Sequence, residues 1–427
     1  MKSIVIRGGE VVDPTGSRRA DVLIEDGRVA AVTDDGSSLS ADVTLDAGGC
    51  VVAPGLVDLH AHLRQPGKEE AETVETGARA AALGGFTCIL AMPNTTPAID
   101  SAGVAREVLE LGRGTTCDVR TSASITVGRA GTQLTPMAEL ADLGVRFFTD
   151  DGSGVQDARL MRRALEYARG LGVTLAQHCE DEVLAAGGSM NEGAWSSRLG
   201  IPGQPPEAEE VMVMRDIALA RMTGAPVHFQ HLSTRRSVQL VAAAKAEGLS
   251  VTCEATPHHF TLTDERCAGY DPVFKVNPPL RTDDDVAAVR QGLAAGTVDC
   301  IATDHAPHAP ETKELPFDQA PPGMLGLETA LALALTHLDL PITEVVALLS
   351  WRPAAIIGAD DAHGGPIVAG CPANLCVIDP SDTWTVDPAG LASRSRNTPY
   401  AGMTLTGRVR HTILAGEAVV VDAEAQR

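Results

Sequence analysis

Apolar residues along the chain fall into two textures. Near both ends they form short runs broken by Gly and Asp. Examples are Ser3-Ile4-Val5-Ile6-Arg7 before Gly8-Gly9, and Asp21-Val22-Leu23-Ile24 before Glu25-Asp26-Gly27-Arg28. Asn374-Leu375-Cys376-Val377-Ile378-Asp379 and the runs at 409–414 and 418–421 repeat the texture. An Asp-Gly step between apolar runs signals a hairpin. Residues 1–54 and 366–427 therefore predict one small β-sandwich domain assembled from both chain ends.

Residues 55–365 read differently. Strand-like runs occur at 56–63, 86–92, 118–125, 145–150, 173–178, 227–232, 250–256 and 300–304. Amphipathic, Ala-rich stretches lie between them, including 72–83, 158–169, 207–222, 235–247 and 284–295. Eight strands alternating with helices predict an α/β fold of the (β/α)8 TIM-barrel kind. A doubly wound open sheet would need a glycine-rich phosphate turn after the first strand, and the sequence has none there.

Composition narrows the function classes. Aromatic residues are only 3%, so the core must be aliphatic. Acidic residues number 56 against 34 basic ones, a net charge of -22. Nucleic-acid binding needs surplus Lys and Arg, so that class is excluded. An anionic substrate would have to be captured by a local cationic pocket. The nine cysteines are scattered without a CxxC pair, as reduced thiols of a cytoplasmic protein would be. The first apolar run is too short for a signal peptide, and no stretch reaches membrane-span length.

The candidate chemistry lies at strand ends. The first strand carries His60 and His62, the fourth runs into Asp150-Asp151, the fifth ends in His178, the sixth contains His231 and the eighth ends at Asp304. Barrel active sites form at the C-terminal ends of the strands, so these residues are expected to converge. His60 and His62 alternate by two and share one side of an extended strand. Imidazoles with carboxylates suit a borderline divalent ion such as zinc.

These positions sit in longer motifs: His60-Ala61-His62-Leu63-Arg64-Gln65-Pro66-Gly67, Met92-Pro93-Asn94-Thr95, His178-Cys179-Glu180-Asp181, Thr256-Pro257-His258-His259, Asn277-Pro278-Pro279-Leu280-Arg281 and Thr303-Asp304-His305-Ala306-Pro307-His308. Together they resemble the signature set of the dihydroorotases, in the bacterial type I branch of the amidohydrolase superfamily. The resemblance runs over nearly the whole chain. It implies reversible cyclisation of N-carbamoyl-L-aspartate to L-dihydroorotate in pyrimidine biosynthesis, with two zinc ions per chain. His60, His62 and Asp304 would hold one ion and His178 and His231 the other. Many binuclear relatives bridge their metals with a carboxylated lysine after the fourth strand. This chain's five lysines, at 2, 68, 245, 275 and 313, are all elsewhere. A carboxylate must then bridge. The type I branch uses the second of the pair, Asp151, with Asp150 as the alternative.

The resemblance further implies Asp304 as proton shuttle and His62, Arg64, Asn94, Asn277, His308, Pro322 and Gly323 as substrate contacts. Arg64 is the expected carboxylate anchor, since guanidinium binds carboxylate bidentately. Arg281 is expected in a structural ion pair, and the 309–323 segment as a lid over the site. His258 and His259 are expected to pack behind the site and Cys179 to be inert. His228 and His305 should face away from it, and His337, His363 and His411 should lie on the surface. A homodimer and association with aspartate transcarbamoylase are the expected assemblies. Competing readings are a hydantoinase or allantoinase, and an inactive scaffold for that transcarbamoylase.

Overall fold

The computed structural model describes residues 2–34 and 39–427; Met1 and residues 35–38 of the N-terminal segment lie outside the described residues. Eight parallel strands form the centre: β1 (Leu56–Ala61), β2 (Phe86–Ala91), β3 (Asp118–Thr121), β4 (Phe147–Thr149), β5 (Thr174–Gln177), β6 (Val227–Phe229), β7 (Val251–Ala255) and β8 (Cys300–Ile301). They form two ladders, β1–β2–β3 and β4–β5–β6–β7–β8. Single parallel bridges, Ala123 with Phe148 and Ala61 with His305, join the ladders on both sides. The strands thus follow one another in a ring, and the fold is a TIM barrel. Every residue of β1 and β2 is buried, as parallel strands covered on both faces require.

Strands six and eight are shorter than the sequence predicts. The reason is local: His231 and Asp304 have φ of 32° and 44°. No ladder residue adopts that conformation, so the chain leaves the sheet just where the ligand-type side chains turn into the mouth.

Local sequence fixes the outer helices. Thr73 caps α1 (Val74–Leu83) in a reciprocal box with Thr76. Asp157 accepts from the Leu160 amide at the start of α2 (Ala158–Leu171), and left-handed Gly172 ends it. Thr234 caps α3 (Arg235–Ala246) in the same way.

The chain ends meet in a seven-stranded sheet, where Leu375–Thr385 pairs antiparallel with Val51–Pro54, the strand leading directly into β1. A four-stranded sheet packs with it over Ile6, Val11, Val22, Ile24, Leu45, Val52, Val377 and Ile413. The barrel touches this part closely at Gly85, whose φ is 88° and where a Cβ would lie 2.9 Å from Val409. Among the described residues no helix is long and apolar enough to cross a membrane.

Candidate active site

Asp58 ties the first and last strands together beneath the site. Its carboxylate accepts from the Thr303 amide (2.9 Å) and hydroxyl (2.5 Å) and from the His60 amide (3.3 Å). Residues on either side of this tie, His60, His62 and Asp304, therefore keep a fixed spacing. His62 Nε2 lies 3.0 Å from Asp304 Oδ1, and His60 Nε2 lies 3.5 Å from the same oxygen.

The two strand-one imidazoles are set in one tautomer. His60 Nδ1 donates to Glu254 Oε1 at 2.6 Å, and His62 Nδ1 donates to Asn94 Oδ1 at 2.8 Å. Both then turn Nε2 toward carboxylates, since Asp151 Oδ1 is 3.3 Å from His60 Nε2 and Asp151 Oδ2 is 3.5 Å from His62 Nε2. A ring nitrogen can face carboxylates in this way only with a positive charge, a proton or a metal ion, between them. His60 Nε2 is fully buried without a hydrogen-bond partner, as is His231 Nδ1. That orphaned nitrogen is the observation that fits a divalent ion.

A second donor group adjoins the first. His178 Nδ1 and His231 Nε2 are 2.9 Å apart, each 3.6 Å from Asp151 Oδ1. Asp151 is thus common to two sets of mutually close ligand atoms, with His60 and His62 and with His178 and His231. Burial alone would raise the Asp151 pKa, but His60 and the bonds from His178 and His231 hold it well below the carboxylate range. Asp150 points elsewhere, accepting from the Thr126 amide and hydroxyl.

The mouth of the barrel holds a cavity of about 160 Å³ lined by His62, Arg64, Asn94, Asp151, His178, His231, Asn277, Asp304, His308, Pro322 and Gly323. His60 lies beneath it. Arg64 has φ of 61°, and its Nε donates to the Pro307 carbonyl at 3.0 Å. Burial pulls its pKa down to about 10, and among the described residues no carboxylate pairs with it. His308 donates from Nε2 to the Pro322 carbonyl (2.8 Å), and Asn277 donates to Glu180 (2.8 Å). Gly323, at φ 146°, could carry no side chain, because a Cβ would lie 2.7 Å from His308 Nε2.

Several expectations need correction. His363 and His411 are buried, each 2% exposed, not on the surface. His363 bridges Thr87 and Asp118 at the opposite end of the barrel (3.1 and 3.0 Å). Cys88 joins that group, but both His363 nitrogens are engaged and Arg120 already pairs with Asp118. Arg281 forms no ion pair among the described residues. It donates to Ser233, Asn191 and the Gln204 carbonyl, away from the cavity. His228 does not touch the imidazole cluster, yet it is coupled to it, donating to Glu254 Oε2 at 3.0 Å. His305 turns to Glu72 (3.3 Å), and His259 holds Thr256 and the Pro278 carbonyl (2.8 and 3.1 Å).

Glu254 is the residue that sequence reasoning missed. Fully buried, it holds His60, His228 and the His231 amide (3.1 Å). Burial alone would raise its pKa; the His60 charge and His228 outweigh that and bring it to about 2. The available signal was an acidic residue at the buried end of strand β7.

Comparison with known proteins follows the same lines. Residues 49–237 match the family model described as dihydro-orotase-like. The chain is 48% identical over 431 residues to dihydroorotase of Streptomyces coelicolor, covering 99% of this chain and all of that one. It is 47% identical over 435 residues to dihydroorotase of Mycobacterium tuberculosis, covering 99% of each. Among solved structures, L-hydantoinase (dihydropyrimidinase) from Arthrobacter aurescens superposes with a TM-score of 0.89 at 26% identity, covering 100% of this chain and 98% of that one. A D-hydantoinase superposes at 0.86 with 22% identity over 99% and 96% of the two chains, a likeness of fold alone.

Proposed function

The chain belongs to the dihydroorotase family of cyclic amide hydrolases, and we propose that its cavity interconverts N-carbamoyl-L-aspartate and L-dihydroorotate in pyrimidine biosynthesis with two zinc ions bound. The observation that carries the metal reading is the pair of donor sets sharing Asp151, with His60 Nε2 buried and unpartnered between two carboxylates. Imidazole and carboxylate donors of this kind suit zinc. His60, His62 and Asp304 would hold one ion, His178 and His231 the other, and Asp151 both. When bound, the divalent pair supplies Lewis acidity, polarising the reacting carbonyl and easing deprotonation of water.

The chain's own groups do the rest. Arg64, lacking a carboxylate partner, takes the substrate carboxylate that does not react, and His308 and Asn94 line the same wall. The Pro322–Gly323 backbone adjoins His308, and Asn277 lines the cavity beside it, where the ureido end of the ring would be held. In hydrolysis Asp304 takes the proton of the attacking water and gives it to the ring nitrogen as the amide C–N bond breaks. In ring closure Asp304 removes the ureido N–H proton as that nitrogen attacks the side-chain carboxyl carbon, then gives it to the departing oxygen, which leaves as water with one further proton from solvent.

The test is one preparation assayed three ways beside metal analysis. Turnover of dihydroorotate far above hydantoin and allantoin, with two zinc ions per chain, is the expected result. Preference for hydantoin or allantoin would overturn the substrate assignment. A metal-replete, inactive protein would point to the scaffold.

A further inference from the structure

Two of the chain's five lysines, Lys275 and Lys313, meet beside the cavity. Lys313 ends the short helix Pro310–Lys313 in the segment that follows β8. Its Nζ donates to three main-chain carbonyls: Pro321 (2.8 Å), Pro272 (3.0 Å) and Lys275 (3.3 Å). Three acceptors use every hydrogen of an ammonium group. No carboxylate pairs with it among the described residues. Lys275 returns the tie, its Nζ donating to the Asp318 carbonyl at 2.9 Å. The Gly323 amide completes it by donating to the Lys275 carbonyl at 2.9 Å.

The tied backbone continues into two adjoining stretches of the cavity wall. Pro321 precedes Pro322 and Gly323; Lys275 precedes Val276 and Asn277. We propose that Lys313 is a positioning residue for substrate binding, a charged clamp holding the Pro322–Gly323 wall against the Asn277 wall without touching substrate. This rests on the dihydroorotase reading of the cavity.

The clamp depends on charge. A neutral amine has two N–H bonds and a lone pair, so one of the three carbonyls would face the lone pair. Burial disfavours the ammonium form, Lys275 and Arg64 add to that and Asp271 opposes it, leaving Lys313 at about 7. The groups facing it are therefore Lys275 and Asp271 from the loop after β7, and Arg64 from the loop after β1. Above neutral pH the clamp weakens.

Lys313→Met keeps most of the side-chain bulk and removes all three bonds. Charge-assisted bonds of this kind justify expecting KM to rise roughly tenfold or more, with kcat within about threefold and metal content unchanged. Wild-type KM should climb above about pH 7.5, while Lys313→Arg, charged throughout, should give a flatter profile. Hydrogen exchange supplies a readout independent of turnover: peptides covering 309–323 and 271–277 should exchange faster in Lys313→Met, with the β1 and β8 peptides unchanged. Unaltered KM and unaltered exchange in that variant would overturn the clamp, as would a Lys313→Arg profile identical to wild type. Exchange that rises throughout the barrel would also overturn it, by marking general loosening. If the wild type does not turn over dihydroorotate, the functional reading fails, and the exchange result still decides the clamp.

Discussion

Asp304 is asked to do two things that oppose one another. In the proposed reaction it must stay ionised beside a cation and yet take up a proton during each turnover. Burial favours the protonated form; the His60 charge and the His62 hydrogen bond outweigh it and keep the carboxyl below its ordinary range. Its backbone, at φ 44°, is held in a conformation that costs energy outside glycine, which the Asp58–Thr303 tie sustains. Asp304→Asn keeps the shape and one oxygen toward His62, but it cannot carry the proton. Steady-state assays should show kcat down by about a thousandfold, within the range general acid–base groups supply, while zinc remains partly bound. A rate near wild type would remove Asp304 from the shuttle.

At the scale of elements, strand ends were the readable part. His60, His62, His178, His231 and Asp304 each sit where an apolar run stops, and the barrel rule turns that position into a place in space. Asp151 over Asp150 was not readable from spacing, because direction is decided by Thr126, a residue with no ligand chemistry of its own. Nor was the burial of His363, whose partners Asp118 and Thr87 come from distant parts of the chain. Glu254 was hidden for a related reason: a carboxylate within a strand gains meaning only once His60 and His228 arrive from other strands. Its contribution can be tested. In Glu254→Gln one oxygen becomes an NH2 group facing an imidazole N–H, so His60 or His228 must change tautomer or lose its bond. Dialysis against a graded chelator series should show metal affinity reduced about 10- to 100-fold, the usual cost of losing an outer partner of a ligating histidine, with activity recovering in excess zinc. Equal metal retention in the two proteins would make Glu254 a packing residue only.

Charge acts over the whole molecule and runs against the substrate. The chain carries -22, whereas N-carbamoyl-L-aspartate is a dianion at neutral pH and dihydroorotate a monoanion. At about 0.01 M salt the screening length is ~30 Å, as wide as the barrel itself, and the full acidic surface repels an approaching anion. Near 0.15 M it is ~8 Å, so only nearby groups are felt, and near the mouth those include Arg64, Lys275 and Lys313. Salt therefore removes the unfavourable long-range part and leaves the favourable short-range part. For N-carbamoyl-L-aspartate, kcat/KM should rise roughly two- to fivefold between these conditions, and for dihydroorotate by about half as much on a logarithmic scale. The usual steered enzyme shows the reverse slope, because its net field attracts the substrate. Stopped-time assays of both directions across a chloride-free salt series would measure the two slopes. A decline with salt for the dianion would mean that the local cations govern approach even at low ionic strength, and that the acidic surface lies too far from the mouth to matter.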